Sequence, residues 1–216
     1  MQLSWRLAIV LWGIGTLGAW VWATNYEFAT APENPSAIPM QWPTDSELPH
    51  SGDRPTLLFF MHPRCPCTSA SVHELARMLT GSGLSETQYP DLLVVAFGPD
   101  QPSAEWTESA TLRQADELPR SEVFWDVDGV VSAQFGASTS GAVRLYGRDG
   151  KLLFSGGVTA SRGHEGDNRG CEALRERLVD PITSRPITAP VFGCRIHNDA
   201  TPMVDGDSSA MVSGVK

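Results

Sequence analysis

The sequence predicts an α/β sandwich built on a mixed β-sheet and preceded by one N-terminal apolar helix. Two short apolar runs, TLLFFM at 56–61 and DLLVVAF at 91–97, have the composition of strands buried on both faces. Amphipathic helical patterns alternate with such runs, and a Gly/Asp turn at 147–150 separates two further strand patterns. A β-α-β unit followed by a hairpin and a terminal helix gives a mixed sheet covered by helices.

The remaining elements follow in order along the chain. The first helix of the sandwich is expected to end near Gly81 and Gly83, and its apolar face consists of Val72, Leu75, Ala76 and Leu79. The later elements are a weaker helix over 104–118, a short strand over 123–125, a brief helix up to Gly136, hairpin strands over 142–146 and 151–154, and a last helix with Cys171, Leu174 and Leu178 on one face.

Residues 1–24 are predicted to be a transmembrane anchor or a signal peptide. Residues 7–23 carry no charge, and their number is close to the shortest apolar length that spans a bilayer, roughly 17 to 25 residues. Arg6 precedes this run, and no Lys or Arg follows it before Arg54, so the domain is expected outside the cytoplasm, on the periplasmic side. Cleavage after Ala23 is the alternative, which would make the protein secreted.

Three segments are expected after the anchor: a linker over 25–53, a folded domain over 54–195 and a disordered tail over 196–216. The linker is rich in Pro, Ser and acidic residues, and the tail is polar without periodicity. The net charge of −9 and the absence of a Lys/Arg cluster in the sequence argue against a nucleic-acid partner, which requires a basic surface. We expect a monomer without a cofactor.

The most informative motif is Cys65-Pro66-Cys67, at the point where a buried strand leads into a helix. A helix N-terminus favours a thiolate, and His62 and Arg64 are expected to lower the thiol pKa further. Pro66 interrupts a regular helix, so both sulfurs can lie on one side. A disulfide across this short loop would be tight, because the Cα atoms must lie within roughly 4.4–6.8 Å, and strained disulfides are the labile, catalytic kind. The motif therefore predicts a redox-active dithiol.

Two later segments resemble the redoxins, the AhpC/TSA-like group of the thioredoxin-like superfamily. DVDGVVSAQFGA at 126–137 resembles their DxDGxVAxxFGV segment, and STSGAVRLYGRDGK at 138–151 resembles xGTPTxFLIDxDGK. The resemblance covers about residues 56–179, and HPRCPCTSAS, TSG and GGVTASRGHEGDN look like the RedB-type branch. It implies a thioredoxin-like three-layer sandwich and an extracytoplasmic thiol–disulfide oxidoreductase that acts on protein or small-molecule thiols and disulfides. By analogy with the family's CxxC, Cys65 would be the nucleophile and Cys67 the resolving cysteine.

The chain departs from the family at two positions. The CxxC motif is a CxC here, and the cis-proline position falls on Gly141, after Ser140. In the superfamily this proline faces the dithiol and helps to bind the partner chain. Because a non-proline cis bond costs several kcal/mol, we expect a trans peptide at Gly141.

A second function is open at the sequence level. Cys65 and Cys67, together with a histidine such as His164, could bind and deliver a soft ion such as Cu(I). Arg162 and His164 lie in a Gly-rich loop, where they could support the site as a base, a metal ligand or an anion-holding pair. The alternative is a solvated loop in which Asn168 caps the last helix. A domain without catalytic turnover is a third possibility.

The two remaining cysteines are predicted to form a structural disulfide. A Cys171–Cys194 bond would attach the C-terminal segment to the domain, and an exported chain meets the oxidising conditions that allow it. The alternative makes Cys194 a third redox thiol that relays to Cys67.

Overall fold

The structure, a computed structural model, describes residues 2–30, 33–81, 83–181 and 185–196, and the side chains of residues 2–4 are not included. The predicted tail therefore lies outside the described residues, except for Ile196. The helices are α1 (Gln2–Glu27), α2 (Thr68–Gly81), α3 (Ala104–Thr107), α4 (Ala110–Asp116), α5 (Val130–Gln134) and α6 (Arg169–Val179), with a short 3-10 helix at Pro35–Ala37. The strands are β1 (Thr56–Met61), β2 (Asp91–Gly98), β3 (Ser121–Val127), β4 (Ala142–Tyr146), β5 (Leu152–Gly156) and β6 (Ile187–Thr188).

The six strands form one mixed sheet in the order β3-β2-β1-β4-β5-β6. Strands β1, β2 and β3 are parallel, since helices connect them, and β4 and β5 pair antiparallel as the predicted hairpin. Phe59 in the central strand β1 lies opposite Val94 of β2 and Val143 of β4. The sheet confirms the predicted α/β sandwich.

The central strand places alternate side chains in two separate cores, because successive residues of a strand point to opposite faces. Leu57, Phe59 and Met61 join the core on the side of α2, α4 and α6. Leu58 and Phe60 join the second core, which α5 and the chain before β1 cover. Helices or packed chain on both faces give the three layers that the sequence predicts.

Local side-chain hydrogen bonds explain where several helices begin. The predicted helix over 104–118 is divided in two, because the side chain of Ser109 accepts the N–H of Leu112 at 3.1 Å and starts α4 anew. Asn168 caps α6 as predicted, accepting the N–H of Cys171 at 2.9 Å. Buried Asp126 accepts the N–H of Val131 at 2.8 Å, in the turn that leads into α5.

The predicted linker over 25–53 is corrected by the structure, because much of it packs on the domain. The ring of Trp42 lies 5.1 Å from that of Phe135, and Leu48 is 3% exposed. Glu33 forms an ion pair at 3.0 Å with Arg144, whose side chain is completely buried in β4. The five residues of α5 are too few to cover this face of the sheet alone. The chain before β1 supplies the remaining cover.

The N-terminal helix α1 continues four residues beyond the predicted apolar run, to Glu27. The part of α1 from Trp5 to Glu27, 23 residues with a mean hydropathy of 1.6, is long and apolar enough to cross a membrane. None of it is buried against the described part of the chain. A signal sequence near the N-terminus can also be this long and this apolar. Both readings of the N-terminus therefore remain predictions.

Candidate functional site

Three cysteines converge at the end of the sheet where β1 leads into α2. The Sγ atoms of Cys65, Cys67 and Cys194 all lie within 4.8 Å of one another. Cys65 is 3% exposed, whereas Cys67 and Cys194 are partly exposed. The structure therefore brings the two cysteines of the motif together and adds a third from the C-terminal segment.

The motif lies in a turn rather than in the helix. The N–H of Cys65 donates to the carbonyl of His62 at 2.9 Å, and the N–H of Thr68 donates to the carbonyl of Cys65 at 3.2 Å. Pro66 is exposed at the tip of this turn, and α2 begins at Thr68. Both sulfurs consequently lie at the helix N-terminus, as predicted from the place of the motif between a buried strand and a helix.

Ser140 links the parts of the site. Its hydroxyl oxygen accepts the backbone N–H of His62 at 2.8 Å and lies 2.6 Å from the hydroxyl oxygen of Thr68. Its own N–H donates to the carbonyl of Cys194 at 2.8 Å. This buried serine thereby fixes the end of β1, the start of α2 and the C-terminal segment relative to each other.

Gly141, which stands where the redoxins that the sequence resembles have a cis-proline, has a positive φ of 97°. The described residues contain no cis peptide bond, so the expected trans peptide at Gly141 is confirmed. A side chain is disfavoured at this φ, and an added Cβ would lie 3.0 Å from the Oγ of Ser71. Glycine is therefore required by the backbone of this loop.

Cys194 reaches the site because the C-terminal segment pairs with the loop before β4. Thr139 and Arg195 form an antiparallel bridge, and the N–H of Ile196 donates to the carbonyl of Ser138 at 2.9 Å. This long-range pairing leaves no periodic signal in the sequence. The presence of a fourth cysteine was the only signal that could have suggested it.

The predicted disulfide between Cys171 and Cys194 is corrected: both are free thiols in different surroundings. The Sγ of Cys171 lies 3.8 Å from a carboxylate oxygen of Glu74 and 3.5 Å from the carbonyl of Val158. Burial, followed by the charge of Glu74, raises the pKa of Cys171 to about 11. Cys171 is therefore a weakly acidic thiol between α2 and α6, while the backbone pairing of Arg195 holds Cys194 near Cys65.

The three site thiols differ in their acidity. Burial tends to raise the pKa of Cys65, but hydrogen bonds from Cys194, Thr68 and the N–H of Cys67 outweigh it, so this pKa lies below its usual value. Burial and the neighbouring Cys65 raise the pKa of Cys67. Burial and the hydrogen bond to Cys65 raise the pKa of Cys194 to about 12. Of the three site thiols, Cys65 is therefore the one that ionises most readily.

His62 and Arg64, predicted to lower the thiol pKa, are turned to other contacts. Arg64 lies 5.4 Å from the ring centre of Trp106 and 3.8 Å from Glu105, with half of its side chain exposed. The His62 ring packs against Trp106 at 4.9 Å, and its Nδ1 accepts the N–H of Arg64 at 3.1 Å. Burial and the positive charge of Arg64 lower the pKa of His62, so this ring is neutral at pH 7. The electrostatic role predicted for these two residues is corrected.

Arg162 supplies the positive charge at the thiols instead. Its guanidinium group donates to the carbonyl of Gly193, beside Cys194, and its charge favours the thiolate forms of Cys67 and Cys194. The same side chain lies 5.2 Å from the ring centre of Tyr26, near the end of α1. Arg162 was a predicted supporting residue, and the structure places it between α1 and the thiol cluster.

His164 does not join the cysteines. Its Nε2 lies 3.8 Å from a carboxylate oxygen of Glu27, and about half of the ring is exposed. The predicted alternative metal site of Cys65, Cys67 and His164 is therefore corrected. Among the described residues, the side chain close enough to bind a metal ion together with Cys65 and Cys67 is that of Cys194.

The end of α1 contacts the loop that carries Arg162 and His164. The backbone N–H of Arg162 donates to the carbonyl of Glu27 at 3.1 Å. Together with the Arg162–Tyr26 contact, this bond places the end of the apolar helix close to the thiol cluster.

Comparison with solved structures finds one chain that shares this fold over most of its length, and others with weaker similarity. A crystal structure of an uncharacterized conserved protein from Geobacillus kaustophilus matches with a TM-score of 0.53 at 19% identity, covering 81% of this chain and 94% of that one. A hypothetical protein from Sinorhizobium meliloti matches with a TM-score of 0.48 at 19% identity, covering 79% and 96%. A secreted Mycobacterium tuberculosis disulfide oxidoreductase homologous to Escherichia coli DsbE matches with a TM-score of 0.40 at 17% identity, covering 60% and 83%.

These similarities concern the fold alone. No protein-family model matches the chain. No curated protein matches it either.

Proposed function

We propose that this thioredoxin-like chain is a thiol–disulfide oxidoreductase that works outside the cytoplasm. The observation that carries the proposal is the cluster of three thiols within 4.8 Å, one of which has a lowered pKa. Thiol–disulfide exchange requires a thiolate and a second thiol within bonding reach, and both conditions are met at Cys65 and its neighbours.

In the proposed reaction the Cys65 thiolate attacks one sulfur of a substrate disulfide. A mixed disulfide forms at Cys65, and the other substrate sulfur leaves as a thiolate. Cys67 then attacks the Sγ of Cys65, which closes the Cys65–Cys67 disulfide and releases the second substrate thiol. Part of the raised pKa of Cys67 comes from the Cys65 thiolate, so this part disappears once Cys65 is in a neutral mixed disulfide. The reverse sequence oxidises a substrate dithiol.

The proposed location is the outer face of a membrane, with α1 as the anchor. Its length and exposed apolar surface support a membrane span, and the Lys/Arg distribution around it supports export of the domain. Because Arg162 connects the end of α1 to the thiol cluster, the reactive site would lie near the membrane surface. Substrates would be thiols or disulfides of proteins or small molecules that approach there. The RedB-type assignment is part of this proposal, and the sequence motifs alone support it.

Two serine variants test the oxidoreductase proposal. Full-length protein in mild detergent should reduce a fluorescent disulfide peptide, or oxidise the dithiol form of that peptide, in a glutathione buffer. Cys65→Ser should abolish the turnover, and Cys171→Ser, which removes a thiol outside the cluster, should leave it within twofold of wild type. Equal activity of wild type and Cys65→Ser would refute the proposal.

A second candidate function is the binding of Cu(I), and the third sulfur favours it. Thiolates are soft ligands that select Cu(I), and Cys65, Cys67 and Cys194 are close enough to share one ion. Anaerobic Cu(I) titration against a competing chelator tests this function. Cys194→Ser should weaken the binding at least tenfold, whereas His164→Ala should not change it. The opposite ranking would restore the histidine as the third ligand.

A further inference from the structure

The C-terminal segment pairs with the domain like an added β-strand. The N–H of Ser140 donates to the carbonyl of Cys194 at 2.8 Å, and the N–H of Ile196 donates to the carbonyl of Ser138 at 2.9 Å. Between these two bonds, Thr139 and Arg195 form an antiparallel bridge. Backbone pairing of this kind is how binding domains hold an extended peptide.

The position of this added strand is built into the fold. Val191 and Ile196 lie on either side of Cys194, are 3% and 2% exposed, and belong to the core beneath α5. A Cβ at Gly193 would overlap the carbonyl oxygen of Ser140, so only glycine allows this close approach. The segment is therefore held in one register, and this register determines where Cys194 lies.

In that register Cys194 contacts the buried thiol. Both the backbone and the side chain of Cys194 form hydrogen bonds with Cys65, which is only 3% exposed. The segment thus covers Cys65 and presents a thiol to it. A disulfide between Cys65 and Cys194 also avoids the short ring of a Cys65–Cys67 disulfide, because 128 residues lie between Cys65 and Cys194 in the sequence.

We infer that residues 193–196 form a built-in redox strand, in which Cys194 is a third redox thiol that forms a disulfide with Cys65. The inference rests on the proposed function and names an internal partner of the same site. It also explains why glycine, Ser140 and Arg162 hold a segment at the end of the folded domain in position.

Oxidised glutathione can serve as the oxidant that forms the Cys65–Cys194 disulfide. The Cys65 thiolate attacks oxidised glutathione, a Cys65–glutathione disulfide forms, and one glutathione thiolate leaves. Cys194 then attacks the Sγ of Cys65, its proton passes to a glutathione thiolate, and a Cys65–Cys194 disulfide remains. Two protein thiols are oxidised, and one glutathione disulfide is reduced to two thiols.

Mapping of the disulfide in Cys67→Ser tests the inference. The full-length variant in mild detergent is equilibrated with oxidised glutathione, quenched in acid, alkylated and cleaved with trypsin. Cleavage after Arg64, Arg77, Arg177 and Arg195 gives peptides 65–77 and 178–195, which each contain one cysteine in this variant. We expect most of peptide 65–77 to be linked to peptide 178–195. A Cys65 that remains glutathionylated, or that links to Cys171, would overturn the inference.

Two glycine variants test whether the Cys65–Cys194 disulfide depends on the backbone pairing of residues 193–196. Gly193→Ala, placed in the Cys67→Ser background, should lower the yield of the Cys65–Cys194 disulfide at least fivefold, because the new Cβ meets Ser140. Gly81→Ala is the matched control, since an added Cβ there meets no atom within 4 Å, and it should leave the yield unchanged. An unchanged yield in Gly193→Ala would contradict the role of the pairing. The Cys67→Ser result alone remains decisive if Gly193→Ala fails to fold.

The inference and the proposed function can fail independently. A Cys65–Cys194 disulfide without turnover of the disulfide peptide would support the internal strand and refute the oxidoreductase. Turnover that Cys194→Ser leaves unchanged, combined with no Cys65–Cys194 link in Cys67→Ser, would support the oxidoreductase and overturn the strand.

Discussion

Replacement of Glu33 by alanine is expected to destabilise the domain strongly, although the residue lies in what the sequence presents as a linker. Its carboxylate pairs at 3.0 Å with Arg144, whose side chain is completely buried, while Glu33 itself is 13% exposed. Removing one partner of a buried ion pair costs roughly 3–5 kcal/mol. Arg144 would keep its hydrogen bonds to the carbonyls of Gly136 and Val143, each at 3.1 Å. We therefore expect the lower end, about 3 kcal/mol.

Urea unfolding of full-length protein in mild detergent, followed by circular dichroism, measures this loss. With a slope of about 2 kcal/mol per molar urea, the midpoint should fall by about 1.5 M. Glu86→Ala is the control, because Glu86 pairs with Arg54 at 2.7 Å but is 76% exposed, and an exposed pair contributes at most about 1 kcal/mol. A Glu33→Leu, Arg144→Met double variant should recover most of the stability, since it leaves no buried charge. A midpoint shift in Glu33→Ala no larger than that of Glu86→Ala would refute the reasoning.

Three further predictions concern the thiols and the domain boundary. Alkylation of folded Cys67→Ser protein should modify Cys65 far faster than Cys171 at pH 7, because the pKa of Cys65 is lowered and that of Cys171 is raised to about 11; mass analysis of tryptic peptides measures both rates, and equal rates would contradict the prediction. Thr68→Val should raise the pKa of Cys65, since it removes a hydrogen bond to the thiolate, and an unchanged pH profile of alkylation would exclude that bond. A chain that begins at Gln41 should unfold at lower urea than one that begins at Glu33, because only the longer chain retains the partner of Arg144; equal midpoints would contradict this.

Local patterns in the sequence predicted most of the fold. The run TLLFFM has no charged residue, and in the structure all six residues of β1 are buried. The Gly/Asp turn at 147–150 joins the two hairpin strands as predicted. The cap of α6 at Asn168 was predictable because a capping side chain acts within three residues of its own position.

Contacts between distant parts of the chain were not predictable in the same way. Trp42 lies in a segment rich in proline and polar residues without periodicity, yet its ring packs against Phe135 in the second core. Arg144 interrupts an otherwise apolar strand, and only its partner 111 residues away accounts for it. Cys194 was assigned to a structural disulfide because nothing near it in the sequence indicates an antiparallel pairing with Thr139. Each of these contacts depends on the tertiary fold.

The third thiol, Cys194, affects the reduction potential of the disulfide formed by Cys65. Two effects can make the disulfide oxidising: the strain of the short Cys65–Cys67 ring and a stabilised thiolate. If Cys65 can pair with Cys194 instead, the strain no longer acts in every oxidised form. The hydrogen bonds from Cys194, Thr68 and the N–H of Cys67 lower the pKa of Cys65, and they stabilise the anion that exists only in the reduced state. This stabilisation raises the reduction potential whether Cys65 bonds to Cys67 or to Cys194. The stabilised thiolate, rather than the ring strain, therefore accounts for an oxidising disulfide in both cases.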